Sequence, residues 1–416
     1  MKKTINQIFD SIGTHKLIWL SCLITFSLLT RLIAAYFLRD THIDNEWKFL
    51  LSNLIQYQSY SMYIFDNQLI PSATLPPIYP FFLYFLNFLN FFGEQGLIYL
   101  TIFIQIILSI YSIYVFYEIN KNFFSDKISL INSFIFSIIP LNIYATVQIS
   151  SITLQVIFSL LFLKFLILIV QKQSKKNIFI FSIISAFLIL TRGEFVLIFI
   201  LIISFIFLSK KIKFYNFLKI MSIVLLLISP YLIRNYIHFE QVFIVKSLGY
   251  NLWKGNNEVS PVDGFENIYR PEFKYIYSKI NNLEKDKYYE INKDKIFLEE
   301  AVDNISKYKT HYFKLFIKKI LSFYFIDINS KYQNYYNIFH IFPMIMISIL
   351  SFPGLFLFYE KSKFEKKLIY LYFFINLLLF SVFFILPRYK LTILPIQIIF
   401  ASYFIAYVFK RLHKTN

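Results

Sequence analysis

Residues 75–92 read LPPIYPFFLYFLNFLNFF. The stretch is almost wholly apolar, and it just reaches the length of about 17–25 residues that a helix needs to cross a bilayer. Whether it spans decides the topology of everything after it. Ten other apolar runs read as spans: 17–37, 97–117, 128–148, 152–170, 178–191, 195–208, 215–234, 338–358, 367–387 and 391–409. The run at 312–327 carries Lys318 and Lys319 in its middle. If neither this run nor 75–92 spans, nineteen cations in the short basic segments fall on one face. They are Lys2, Lys3 and Lys16; Lys121 and Lys127; Lys172, Lys175 and Lys176; Lys210, Lys211, Lys213 and Lys219; Lys361, Lys363, Lys366 and Lys367; and Lys410, Arg411 and Lys414. If 75–92 alone spanned, all of them beyond the first helix would flip outward. The cytoplasmic bias of Lys and Arg selects the first arrangement. The expected fold is an all-α polytopic membrane protein with ten transmembrane helices and both termini cytoplasmic. Two large extracytoplasmic loops, 38–96 and 235–337, follow from it. An N-terminal membrane module (1–234), an outer cap (235–337) and C-terminal helices (338–416) are the expected divisions.

Composition agrees. Of 416 residues, 57% are hydrophobic, 21% aromatic and only 16% charged, which leaves too little polar surface to cover a water-soluble fold. The net charge of +18 would suggest nucleic acid in a soluble protein. Here the placement of the cations accounts for it, so no nucleic-acid partner is expected. Cys22 is the single cysteine, and the six histidines show no metal-ligand spacing. The first apolar run is preceded by a polar stretch and followed by no small-residue cleavage site, so it reads as an anchor.

In the first outer loop, Trp47, Leu50, Leu51, Leu54 and Ile55 share one face at helical spacing. The pattern predicts an amphipathic helix over 44–57 lying along the membrane interface. Asp44 stands at its start, as a helix cap or as a reactive carboxylate. A second interfacial helix, 76–92, is started by Pro76-Pro77 and Pro80, because proline fits a first turn where its missing N–H has no partner. Together the two helices would line a cavity at headgroup level.

Ionisable residues near the bilayer are costly and carry a partner or a function. Arg31 is expected to snorkel to the outer headgroups. Arg192 and Glu194, at the tip of a short hairpin, are expected to line the cavity. Arg234, Arg388 and Lys390 also fall at outer helix ends, against the topological trend. Cations held there point to an anionic partner such as a phosphate, which arginine binds through paired N–H donors.

Five segments stand in order: Asp44-x-x-Trp47 with Asn53-Leu54-Ile55 and Tyr60-Ser61; Pro76-Pro77-Ile78-Tyr79-Pro80; Leu190-Thr191-Arg192-Gly193-Glu194; Ser229-Pro230 through Arg234-Asn235-Tyr236 and Asn251-Leu252-Trp253-Lys254-Gly255-Asn256-Asn257; and Pro387-Arg388-Tyr389-Lys390 with Pro395. Together they resemble the GT-C membrane glycosyltransferases, specifically the bacterial branch similar to dolichyl-phosphate-mannose–protein mannosyltransferases and lipid A aminoarabinose transferases (glycosyltransferase family 39-like). Two departures stand out. Leu75 replaces a basic residue before the prolines, and Ser150-Ser151-Ile152-Thr153 lacks the acid that the family often carries at the outer start of the fourth span.

The resemblance implies a bacterial cell-membrane enzyme with an extracytoplasmic site. Its donor would be a polyprenyl-phosphate-linked sugar and its acceptor a lipid, polysaccharide or protein hydroxyl, with membrane lipids around it. Asp44 is the expected base in an inverting displacement, with Glu46 behind it. Arg388, Arg234 and Arg192, with Tyr389 and Lys390, are expected at the lipid phosphate. Glu194, Asn235, Asn251, Trp253 and Asn256 are expected around the sugar or acceptor. Asn251, Trp253 and Asn256 also fit a simple turn anchored by an interfacial tryptophan. A divalent metal, Mg or Mn, is left open by the missing acid. A transporter or flippase for a lipid-linked or anionic solute is the alternative, although no repeat is visible; an inactive scaffold is a third reading.

Overall fold

The computed structural model describes residues 15–330, 337–360 and 363–412. Lys2, Lys3, Lys361 and Lys414, counted above for topology, lie outside the described residues. Every run read as a span is helical: α1 (Lys16–Leu38), then, after the first loop, α4 (Gly93–Asn120), α5 (Asp126–Ile138) with α6 (Pro140–Thr146), α7 (Ile152–Gln171), α8 (Lys175–Thr191), α9 (Phe195–Leu208), α10 (Phe214–Phe239), α15 (Ile338–Phe358), α16 (Phe364–Val382) and α17 (Leu394–Leu412). Among the described residues, five of these (α1, α4, α7, α10 and α15) are long and apolar enough to cross a membrane, and the pair α5–α6 makes a sixth if it counts as one span. That pair bends by 60° at Ile139–Pro140, where the proline cannot continue the helix before it. The remaining helices are shorter or carry more charge.

Between α1 and α4 lie α2 (Asn45–Tyr57), a hairpin of β1 (Ser61–Phe65) and β2 (Gln68–Pro71), and α3 (Ile78–Phe88). The strands pair antiparallel through Asp66 and Asn67, both in the left-handed region at φ 47° and 61°, so the chain is not purely helical. Asn and Asp tolerate that conformation better than other non-glycine residues. On α2, Leu50, Leu51 and Leu54 are buried, while Ile55 is exposed. The buried face packs on Tyr60, Tyr79 and Leu83 rather than lying open to lipid.

The second loop folds as a cap of α11 (Leu248–Asn256), α12 (Lys274–Asn281), α13 (Tyr289–Lys307) and α14 (Lys309–Tyr324). Its core is Trp253, Phe273, Ile276, Ile280, Phe297 and Ala301. The cap is seated closely. A Cβ at Gly255 would meet the Phe383 carbonyl oxygen at 1.9 Å, and one at Gly249 the Asp294 carbonyl oxygen at 2.0 Å. Helix α14 is the run with Lys318 and Lys319 in its middle. Lys319 is fully buried and donates to the Gly255 carbonyl (2.8 Å) and Asn256 Oδ1 (2.9 Å), which caps the C-terminus of α11.

Arg31 departs from expectation. It does not snorkel; it is fully buried between helices. Its Nε donates to Ser109 Oγ at 2.9 Å and its Nη1 to the Ser27 and Ser137 carbonyls at 3.2 Å. The cause is the break after Ile138. A helix end leaves carbonyls without intrahelical donors, and Arg31 supplies one to Ser137.

Candidate active site

The acids of the first loop are the least engaged of the expected residues. Asp44 occupies the N-cap position of α2 in extended geometry, but its side chain makes no capping hydrogen bond and is exposed. Glu46, in the first turn, has neither an ion pair nor a hydrogen bond among the described residues. Its charge is felt at Tyr63 and Tyr250, on the cap side.

Asp40, to which the sequence analysis assigns no role, is tied into the same place. Its N–H donates to the Val147 carbonyl (3.2 Å), and its Oδ2 accepts from the Ile149 N–H (2.7 Å). Burial pushes the Asp40 carboxyl above the usual carboxylate range. The bond from Ile149 pulls it back, and the Asp44 charge pushes it up again. The two carboxylates are therefore electrostatic neighbours. Tyr79 stands beside them: its hydroxyl donates to Gln105 Oε1 (3.2 Å), and Gln105 Nε2 donates to the carbonyls of Thr146 (2.9 Å) and Gln148 (2.8 Å). The Trp47 ring meets Tyr79 edge-on at 4.8 Å. Residues 146–149 thus act as a hub on which the first loop is hung. This is the stretch just before the missing family acid. The signal for Gln105 was a lone amide inside an apolar run.

The expected cations divide sharply. Arg388 lies in the 3-10 turn Pro387–Thr392 and is exposed. Among the described residues its one contact is with the Tyr389 ring, at 5.9 Å. Arg192 Nε is paired with Glu194 Oε1 at 2.7 Å, and its guanidinium lies over the Tyr389 ring at 5.1 Å. The two hairpin-tip residues are thus partners of each other, and Glu194 orients the arginine. Arg234 is given over to backbone: its Nη1 donates to the Ser72 carbonyl (2.7 Å) and Asn235 Oδ1 (2.8 Å), and its Nη2 to the Tyr60 carbonyl (3.0 Å). It pins both ends of the β-hairpin. Lys390 is buried and donates to the Tyr324 carbonyl (2.9 Å), the Phe325 carbonyl and Ser348 Oγ (3.0 Å), which caps α14.

The residues expected around the sugar are largely structural in their contacts. Asn235 is buried and donates to the Phe243 carbonyl at 2.8 Å. Asn251 bonds back to the Ser247 carbonyl one turn earlier, at 2.8 Å. Trp253 is the fully buried centre of the cap, packed on Phe297 at 4.7 Å and Phe273 at 5.2 Å, and not a tryptophan at the interface. Asn256 Nδ2 bridges the Leu252 (2.8 Å) and Val382 (3.0 Å) carbonyls.

Asp40 and Asp44 are neighbours at this segment, and Arg388 is on a turn packed against the helices that flank it. The turn carrying Arg388 packs against α6 and α7, and the chain joining those two helices is the hub that holds Asp40. For a divalent metal the donor set is thin. Among the described residues no three His, Cys, Asp or Glu group as ligands, and one Asp40 oxygen already accepts an N–H.

No protein-family model and no curated protein matches the sequence. Solved structures do match its fold. The oligosaccharyltransferase of Archaeoglobus fulgidus in its apo form superposes with a TM-score of 0.55 at 12% identity, over 95% of this chain and 51% of that one. The same enzyme tethered to an acceptor peptide containing the NVT sequon gives 0.56 at 12% identity, over 98% and 51%. In complex with an inhibitory peptide and a dolichol-phosphate it gives 0.55 at 12%, over 96% and 51%. ArnT from Cupriavidus metallidurans bound to undecaprenyl phosphate is a looser likeness, with a TM-score of 0.44 at 11% identity over 93% and 77%. The chain spans about half the length of the oligosaccharyltransferase it matches. It has the GT-C membrane fold that its motifs resemble.

Proposed function

We propose that this protein is a membrane glycosyltransferase that moves a sugar from a polyprenyl-phosphate donor to an acceptor hydroxyl. The observation that carries the reading is the contrast within its charged residues. Asp44 and Arg388 have no hydrogen-bond or ion-pair partner among the described residues, while Asp40, Arg192, Arg234 and Lys390 are tied into the fold. Both groups are exposed, so neither is held by the fold and both are free to meet a charged or hydroxylic substrate. The matching archaeal oligosaccharyltransferase, which is seen with a dolichol-phosphate and with an acceptor peptide, lends the same ligand classes to this chain as a hypothesis.

In this mechanism Asp44 takes the proton of the acceptor hydroxyl as its oxygen bonds to the anomeric carbon. The bond from that carbon to the phosphate oxygen breaks, with inversion, through an oxocarbenium-like state. The electron pair leaves on the phosphate, where the Arg388 guanidinium balances the growing charge. Arg192, held over Tyr389 by Glu194, adds positive potential behind it. Asp40 keeps the field around Asp44 negative and anchors the loop. Glu46, facing the cap, contacts the acceptor side. No step is routed through a metal.

The test is release of polyprenyl phosphate from labelled polyprenyl-phosphate sugars, using reconstituted protein and an acceptor extract, with and without a chelator. Release that needs Asp44 supports the reading, and the chelator arm answers the metal question. Equal release by wild type and Asp44→Asn would return Asp44 to the capping position it occupies. Movement of donor across the bilayer without release would favour the flippase alternative.

A further inference from the structure

At the opposite end of α9 from Arg192 and Glu194, a groove of about 620 Å³ opens between α9 and α16. Fourteen helical residues separate the two ends, about 21 Å at the helical rise. The groove is graded. Lys211 and Lys367 stand at one end, and Phe205, Leu371 and Phe374 line the wall below them. Lys211 is exposed and lies over the Phe364 ring at 5.4 Å; Phe374 is 40% exposed. Among the described residues neither lysine has a carboxylate partner. Of the nearby acids, Glu360 is taken up by Lys366 at 3.0 Å and Lys363 at 3.8 Å, and Glu365, in the first turn of α16, forms no ion pair with either groove lysine among the described residues.

We propose that this groove binds an anionic phospholipid, its headgroup phosphate on Lys211 and Lys367 and the start of an acyl chain on Phe205, Leu371 and Phe374. Charge complementarity selects the headgroup, since two unpaired ammonium groups face one opening. The aromatic wall selects a lipid over a soluble anion. A free phosphate gains nothing from an apolar surface that runs from residue 364 to residue 374, about 15 Å along the helix. Both lysines belong to the basic set that the positive-inside bias puts on the cytoplasmic face, where anionic lipids lie and where basic pockets between helices hold their headgroups. The site is therefore on the other leaflet from the acids of the first loop, and it stands whether or not the transfer reaction does.

Native mass spectrometry of the full-length protein tests this with phosphatidylglycerol and phosphatidylcholine as probes and inorganic phosphate as competitor. Wild type should retain phosphatidylglycerol in preference to phosphatidylcholine. A Lys211→Ser/Lys367→Ser variant should bind it about twenty-five-fold more weakly, each lysine near the headgroup contributing roughly fivefold. Leu371→Trp, which keeps both ammonium groups and fills the wall, should also lose it, and covers the case in which the double variant does not fold. Lys175→Ser/Lys176→Ser removes the same charge elsewhere on that face and should change nothing. Equal retention by wild type and both groove variants would overturn the site. Displacement by inorganic phosphate at matched concentration would overturn the lipid as its ligand.

Discussion

The two large loops use their expected site residues in opposite ways. In the first, Asp44 and Glu46 make no ion pair and no hydrogen bond through their side chains among the described residues. In the second, Asn256 bridges two carbonyls, Lys319 caps a helix end, and Trp253 is the fully buried core of the cap. Both loops carry residues that resemble family motifs. Resemblance alone does not separate a residue retained for chemistry from one retained because the cap cannot seat without it. Hydrogen-bond accounting separates them, because a buried polar group must be paired and an exposed idle one need not be.

That contrast breaks if the first loop proves structural. Asp44→Asn is expected to lower polyprenyl-phosphate release by about 10²–10⁴, with an unchanged melting midpoint because no capping bond is lost. A midpoint that falls with activity would put Asp44 among the structural residues. The turn 387–392 offers the same contrast within neighbouring residues. Arg388→Gln should cost about 10²–10³ in transfer at constant stability. Lys390→Gln should instead lower the melting midpoint, because the Phe325 carbonyl loses its buried donor while the Tyr324 carbonyl keeps Gln397 and Ser348.

In the cap, Gly255→Ala should cost about 3 kcal/mol or more, since a backbone carbonyl 1.9 Å away cannot step aside as a side-chain end would. Loss of monodisperse protein on gel filtration reads it. The smallest effect is expected at Glu290, which accepts from the Ala73 (2.6 Å) and Thr74 (3.0 Å) N–H groups and the Ser72 hydroxyl, joining cap to hairpin. Burial holds its carboxyl above the usual range, although those donors pull it back. The folded protein thus binds this proton more tightly than the unfolded chain does. The group's contribution to stability is present at low pH and is lost as pH rises through the raised value. Glu290→Gln should cost about 1 kcal/mol at acid pH and flatten that part of the melting profile.

Much of the scaffold was legible. Apolar length marks a helix wherever it occurs, so each of the ten runs is helical, and Pro76-Pro77 places the start of α3. The amphipathic face of 45–57 was also legible, but not what covers it. A stripe of leucines is the same against lipid or against protein, and here Tyr60, Tyr79 and Leu83 cover it. The hairpin at 61–71 was missed although Asp66-Asn67 between two β-branched and aromatic runs was a usable turn signal. Pro140 inside an apolar run likewise foretold the bend.

Of the candidate site, the sequence supplied the roster and the order: acids in the first loop, arginines at helix ends, and lysines clustered in the short connections. Those are properties of local composition and of charge along the chain. Which arginine is idle and which is bound was decided only by tertiary structure. The partners of Arg31, Arg192, Arg234 and Lys390 are Ser109, Glu194, the Ser72 and Tyr60 carbonyls, and the end of α14. Apart from Glu194, each lies far away in sequence. A charged group's role depends on the acceptors that folding brings within about 3 Å of it, and no reading of neighbours along the chain contains that distance.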